Sequence, residues 1–246
     1  MADKKVTLET LTATSQGMVL NATGAFEPGT KKIDGRVDLK ADDMSPALGL
    51  FNIKAFGGGT LSATVSGQVD RPEMLLDAAF ENLGLNSVSI GTLNISATAK
   101  GTIGNPSARI TLVGKAMAMG SNTFGDVDTK ANYEKGVLTI DHFKVRNKQS
   151  GLDINGSLKL PASGTTTLLA SPDMDIAIQG ESIYLEDFFD PMKGRFSVNG
   201  QISGNLETLA GTLDVEGSMI DLGVQKIEKV TLNTSFEGQT VVVKKI

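Results

Sequence analysis

The chain has 246 residues, and 40% of them are hydrophobic, which is enough to bury a substantial apolar surface and excludes a disordered protein. Its net charge is −5 and its lysines are scattered in ones and twos, so the sequence predicts no basic surface for nucleic acid. Cysteine is absent, which excludes a disulfide framework and a thiolate metal site.

The first predicted element is one helical turn or a short loop in DDMSPALGLF, residues 42–51. Ser45 stands where a helix N-cap would sit, and Pro46 occupies the first helical position. A strand that opens with glycine follows this apolar segment. The same order recurs later, where LEDFFDPMKG (residues 185–194) leads into GRFSVNGQISGN. We therefore predict a large internal repeat.

A smaller repeat lies inside the larger one. GTLSATVSGQVDRP (Gly59–Pro72) and GTLNISATAKGTIGNP (Gly91–Pro106) align without gaps over their second halves, at an offset of 34 residues, as from Leu61 to Ile95. In both, apolar residues alternate with polar ones. This period of two is typical of a strand with one face toward water.

The same alternation continues to the end of the chain, for example over Leu152–Leu160 and Phe196–Ile202. Regular spacing of such runs predicts about twenty short strands and an all-β fold. No linker interrupts them, so residues 1–246 are interpreted as a single elongated repetitive domain.

Residues that could carry catalysis are scarce. His142 would need Asp141 as a partner, but neighbours in a strand point to opposite faces. The pairs Asp126/Asp128 and Asp173/Asp175 lack the further ligands of a calcium site. We therefore expect a protein that is not an enzyme and that has no cofactor and no metal.

The apolar positions hold mostly Leu, Ile, Val, Ala and Gly, while aromatic residues make up 5% and tryptophan is absent. A sheet curled into a trough can be lined by small aliphatic side chains. The alternative is a β-sandwich or β-solenoid that fills its own core.

The strand groups, together with ANYEKGVLTIDHFKVRNKQSGLDINGSLKL (residues 131–160) and LEDFFDPMKGRFSVNGQISGNLETLAGTLDVEG (residues 185–217), resemble the AsmA-like superfamily, especially TamB-type proteins. The resemblance covers most of the chain. It implies a curved, mainly antiparallel half-pipe, or β-taco, with an apolar concave interior and at most one or two helical turns. It also implies a periplasmic body whose inner-membrane anchor and membrane contacts lie outside this chain.

The function implied by the resemblance is phospholipid transport between the inner and outer membranes, with acyl chains as the partner. The alternative is an envelope assembly scaffold that offers sheet edges to an outer-membrane barrel assembly protein. A surface filament or adhesin repeat is a third interpretation.

The alternation predicts which side chains line the groove and would contact acyl chains. They are Leu61, Val65, Leu93, Ile95, Ile103, Leu112, Ile140, Ile154, Leu158, Phe196, Val198, Ile202, Leu213 and Val215.

The two interrupting segments predict a second set, which would cap an edge at the mouth of the groove or gate access to it. This set is Met44, Leu48, Leu50, Phe51, Phe188, Phe189 and Met192.

Overall fold

The computed structural model describes residues 5–46, 55–102, 104–160, 172–205, 207–238 and 240–245. Within these ranges the fold is all-β, with a 3-10 helical turn at Leu185–Asp187. The strands in chain order are β1 (Val6–Ser15), β2 (Met18–Glu27), β3 (Lys32–Ala41), β4 (Ala55–Gln68), β5 (Arg71–Leu85), β6 (Val88–Thr102), β7 (Asn105–Met119), β8 (Asn122–Glu134), β9 (Val137–Asn147), β10 (Ser150–Lys159), β11 (Asp173–Tyr184), β12 (Lys193–Gly204), β13 (Ala210–Asp221), β14 (Lys226–Glu237) and β15 (Thr240–Lys245). None of the helical segments within the described ranges has the length and apolarity needed to cross a bilayer.

All fifteen strands belong to one antiparallel sheet in which each strand lies beside its neighbours in sequence. The sheet does not close on itself, so β1 and β15 form its two edges. The predicted all-β class with an open, mainly antiparallel sheet is confirmed. The prediction of about twenty short strands is wrong, because the described residues form fifteen strands and most of these are 10 to 15 residues long.

The chain divides into two compact units, Met1–Met117 and Ala118–Ile246. The first unit contains β1–β6 and nearly all of β7, and the second contains β8–β15. Within each unit the extensive contacts of the described residues are between neighbouring strands, and the 3-10 turn packs on β12.

Bulges bend the strands of the first unit near one end. The pairing of β4 with β5 shifts register between Phe56 and Gly58, and Asn82 and Ala116 adopt φ angles of 49° and 53°. Gly57 has no room for a side chain, because a Cβ there would lie 2.6 Å from the Asn82 carbonyl oxygen. A bulge bends its strand and increases the local twist. The buried apolar residues of this unit lie within a few residues of this bend: Ala41, Ala55, Ala78 and Leu93.

The second unit has a similar set of bulges. The register of β11 with β12 shifts between Gly180 and Ile183, and Met219 in β13 has a φ of 51°. Ile220, beside this bulge, is 4% exposed. The apolar core that the described residues form is therefore narrow and lies along the bends.

Candidate functional site: the apolar face of the sheet

Directly paired residues of antiparallel strands project to the same side of a sheet. In the first unit Leu39 pairs with Leu61, Leu61 with Ala78, and Ala78 with Ile95. Val65 lies four residues after Leu61 in the same strand and therefore points the same way. The register thus brings the predicted residues Leu61, Val65 and Ile95 together on one side, called here the apolar face.

Two further predicted residues lie on the same face of this unit. Leu93 precedes Ile95 by two residues in β6. A Cβ placed on Gly114 would lie 3.8 Å from Leu93 Cδ1, so β7 presents Gly114 to this face. Leu112, two residues earlier, shares that side. Ile103 lies outside the described residues.

The second unit presents its own apolar face. Ile140 pairs with Gly156, which alternates with Ile154 in β10. Ile154 pairs with Ile178, and Ile178 pairs with Gly200 of β12. Continued through β13, this register places all eight predicted residues of the unit on one side: Ile140, Ile154, Leu158, Phe196, Val198, Ile202, Leu213 and Val215.

Neither apolar face is deeply buried. Of the predicted groove residues within the described ranges, Leu93 is buried at 9% exposure and the others are half-buried. No large side chain in the described residues falls below 2% exposure. A sheet packed against a second layer would bury such side chains. Each unit therefore leaves much of its apolar face uncovered.

The opposite side of the first unit is polar. Asp38 pairs with Ser62, Ser62 with Asp77, and Asp77 with Ser96. The Arg36 guanidinium donates to both Asp38 carboxylate oxygens, at 2.6 and 2.8 Å, and these bonds, with one from Ser62, lower the pKa of Asp38. A depression of about 660 Å³ is lined by these four paired residues and also by residues of the adjacent apolar row, among them Leu61 and Ile95. Sequence reasoning did not identify it, although the alternation of acidic and hydroxyl residues across neighbouring strands is its signal.

His142 also lies on a polar side, in the second unit. It pairs with Lys130, and its Nε2 is 3.0 Å from the Asp128 carboxylate. Asp141 instead accepts a hydrogen bond from Asn132. The histidine therefore has an acidic partner on the neighbouring strand rather than the adjacent residue.

The segment between β11 and β12, residues 185–192, is called here the strap. It is fixed to the ends of β8–β10 through Asp187. The Asp187 carbonyl oxygen accepts bonds from Thr123 Oγ1 (3.1 Å) and Asn147 Nδ2 (2.5 Å), and its Oδ2 accepts one from Ser150 Oγ (2.7 Å). Asp187, Asn147 and Ser150 are 4%, 6% and 2% exposed. The strap is thus held by a buried polar network.

The predicted mouth residues lie in connections between strands. Phe188 is half-buried, whereas Phe189 and Met192 are each 39% exposed, and the two phenyl ring centroids are 6.3 Å apart. Met44, between β3 and β4, is half-buried and donates its N–H to the Gly57 carbonyl at 2.9 Å. These residues belong to the ends of strands and not to the middle of the apolar face. The remaining members, Leu48, Leu50 and Phe51, lie outside the described residues.

Fold and site together define a class: an open, single-sheet β protein in which each unit has one apolar and one polar side. No family model, no curated protein and no solved structure matches the chain. The argument for function therefore depends on the residues and their geometry.

Proposed function

We propose that the chain is a non-enzymatic hydrophobic conduit, whose apolar face carries phospholipid acyl chains between the inner and outer membranes. The observation that carries this proposal is the apolar face that each unit presents without a packed second layer. Moving a diacyl lipid through water exposes about thirty CH₂ groups, or ~24 kcal/mol at ~0.8 kcal/mol each. Contact with a continuous aliphatic surface would remove much of that cost.

The composition of the apolar face favours sliding over tight binding. Its predicted contact residues are aliphatic, apart from Phe196. Thr234 also lies on this side, opposite Leu213, but its hydroxyl donates to the Leu213 carbonyl oxygen at 2.8 Å. A mainly aliphatic lining offers area without fixing a ligand in one position. Such a lining suits transport of acyl chains.

The resemblance to AsmA-like proteins supports the same function. It extends the proposal to a periplasmic location and to an inner-membrane anchor in a longer protein.

The test is to purify the chain from cells, extract it and measure bound phospholipid by mass spectrometry. The test variant carries Ile95→Asp and Val198→Asp on the apolar face. The matched control carries Ser96→Asp and Asn199→Asp, one residue away on the polar side, where both native residues are exposed. An unpaired carboxylate beside hydrocarbon is strongly unfavourable.

We expect phospholipid with the wild type and the control, and at least a severalfold loss with the test variant. Circular dichroism establishes that all three proteins are folded. A folded wild type without lipid, or equal loading of all three, would contradict the conduit.

The second candidate is an assembly scaffold that offers a sheet edge to another β-strand. It is favoured by β1, in which all ten residues are exposed and which pairs with β2 alone. Val6 and Leu11 are 63% and 50% exposed. Open edges add strands through backbone hydrogen bonds. A photocrosslinker at Thr14 that captures an outer-membrane barrel assembly protein, with no lipid on the apolar face, would favour this function.

A further inference from the structure

The turn between β13 and β14 exposes apolar side chains to an unusual degree. Val224 is 98% exposed, Met219 76% and Leu222 39%. Met219 lies at the bulge between two paired positions of β13, and Leu222 and Val224 follow the last residue of that strand. All three therefore lie at one end of the strands and are separate from the apolar face.

The strap brings more apolar surface to the same place. Lys193, at the start of β12, pairs with Asp221, at the end of β13. Met192 therefore lies beside the turn that contains Leu222 and Val224. Phe189 is joined to Met192 by a backbone hydrogen bond of 2.9 Å. The five exposed apolar residues at this position form what is called here the tip patch: Phe189, Met192, Met219, Leu222 and Val224.

Two N–H groups of the turn already have partners inside the protein. The Leu222 N–H donates to the Gln225 carbonyl oxygen at 3.0 Å, and the Gly223 N–H donates to Asp221 Oδ1 at 2.9 Å. Donors that already have partners inside the protein do not need water. These two internal bonds lower the cost of moving Leu222 and Gly223 out of water.

Two lysines flank the tip patch. Lys193 lies beside Asp221, and Lys226 Nζ is 3.3 Å from Asp221 Oδ2 with a side chain that is 83% exposed. Lysine side chains at the boundary of an apolar surface can extend their amines toward lipid phosphates while their methylene groups stay in apolar contact.

The shape of the tip patch fits a lipid bilayer better than a protein partner. A stable protein interface buries on the order of 1,000 Å² or more between complementary surfaces. A hairpin apex with one fully exposed valine is small and protruding, and it suits penetration of a few ångströms into the headgroup region of a bilayer. The chain's net charge of −5 disfavours electrostatic attraction to anionic lipid. Contact between the apolar side chains of the tip patch and the lipid must therefore supply the binding free energy.

We infer that the tip patch is a membrane-docking site, which inserts Leu222 and Val224 into the interface of a phospholipid bilayer while Lys193 and Lys226 face the phosphates. This site is independent of the acyl-chain cargo proposed for the apolar face. It places one membrane contact within the chain itself.

The test is flotation of the folded protein with phosphatidylcholine vesicles at 0.1 M and 0.5 M NaCl. The test variant is Leu222→Asp with Val224→Asp. The control is Val69→Asp, an exposed valine in the turn between β4 and β5 of the first unit. Circular dichroism and thermal unfolding establish that each variant is folded.

We expect wild type and Val69→Asp to float at both salt concentrations. The double variant should partition to vesicles about tenfold or more weakly, because it replaces two inserted apolar side chains by charges. A wild type that stays in solution would overturn the inference, as would equal flotation of the double variant. Flotation at 0.1 M NaCl that disappears in 0.5 M NaCl would also overturn it, as would capture of a protein by a crosslinker at Val224 with no vesicle binding.

The result of the flotation test can be distinguished from the result of the test for co-purified phospholipid. Val198→Asp should reduce co-purified lipid without changing flotation, and the double tip variant should do the reverse.

Discussion

Replacing Asp187 by alanine should loosen the strap. The carboxylate is 4% exposed, and its Oδ2 accepts bonds from Ser150 Oγ (2.7 Å), Ser150 N (3.1 Å) and Gln149 N (3.2 Å). Ser150 is itself 2% exposed, so its N–H would remain buried without this acceptor. An orphaned buried donor costs about 1–3 kcal/mol, and hydrogen bonds to a charged group contribute about 1.5–3 kcal/mol each. Because the Ser150 hydroxyl keeps its bond with the Tyr184 N–H, and because water can reach Gln149, the expected loss is about 2–4 kcal/mol.

Urea unfolding followed by circular dichroism measures this loss, and hydrogen exchange at the Ser150 and Gln149 amides locates it. Asp190→Ala is the control, since Asp190 is an exposed carboxylate in the same strap. Its effect should stay within about 0.5 kcal/mol. If the Asp187 and Asp190 variants unfold at the same urea concentration and Ser150 keeps its exchange protection, the network does not hold the strap.

Three further changes test other parts of the structure. Ile220→Ala should cost about 2–4 kcal/mol of unfolding free energy in a urea titration, because Ile220 is 4% exposed; a loss below 1 kcal/mol would contradict a core at the bend. The pKa of Asp221 is lowered by the Gly223 N–H and Lys226, so its stabilisation is present above the unfolded pKa and disappears as the pH falls through the folded pKa. The melting temperature of Asp221→Asn should therefore lie below that of wild type at pH 7 and meet it in acid; a gap independent of pH would refute this. Replacing Phe188 and Phe189 by serine should change lipid loading more than melting temperature, and a collapse of thermal stability would show them to be core residues.

The alternation of the sequence is enough to assign a residue to one side of its own strand, because side chains in a strand have a period of two. Leu61, Ile95 and Val198 could be placed on one side of their strands from neighbouring residues alone. Their partners could not be predicted. Val198 lies between Gly180 and Val215, and this register is set by pairing between strands.

The predicted number of strands was too high because of local features within the strands. Asn82, Ala116 and Met219 adopt positive φ angles within continuous strands. A bulge of this kind shifts the alternation by one residue, so the period of two alone does not show how far a strand continues.

The polar network of the strap was missed because its partners are distant in sequence. Ser150 and Asp187 are separated by 37 residues. In the sequence the carboxylates around Phe188 and Phe189 look like those of an exposed turn with an apolar anchor. Only the fold shows that Asp187 points inward.

The most direct test of the lipid conduit is photocrosslinking in cells at two adjacent residues of β12. Val198 lies on the apolar face, and Asn199 lies on the polar side, where it pairs with Gln179 and Asp214. With a photoreactive amino acid at each position in turn, we predict that Val198 captures phospholipid and Asn199 does not. A folded protein that captures no phospholipid from Val198, or equal amounts from both positions, would contradict transport along the apolar face.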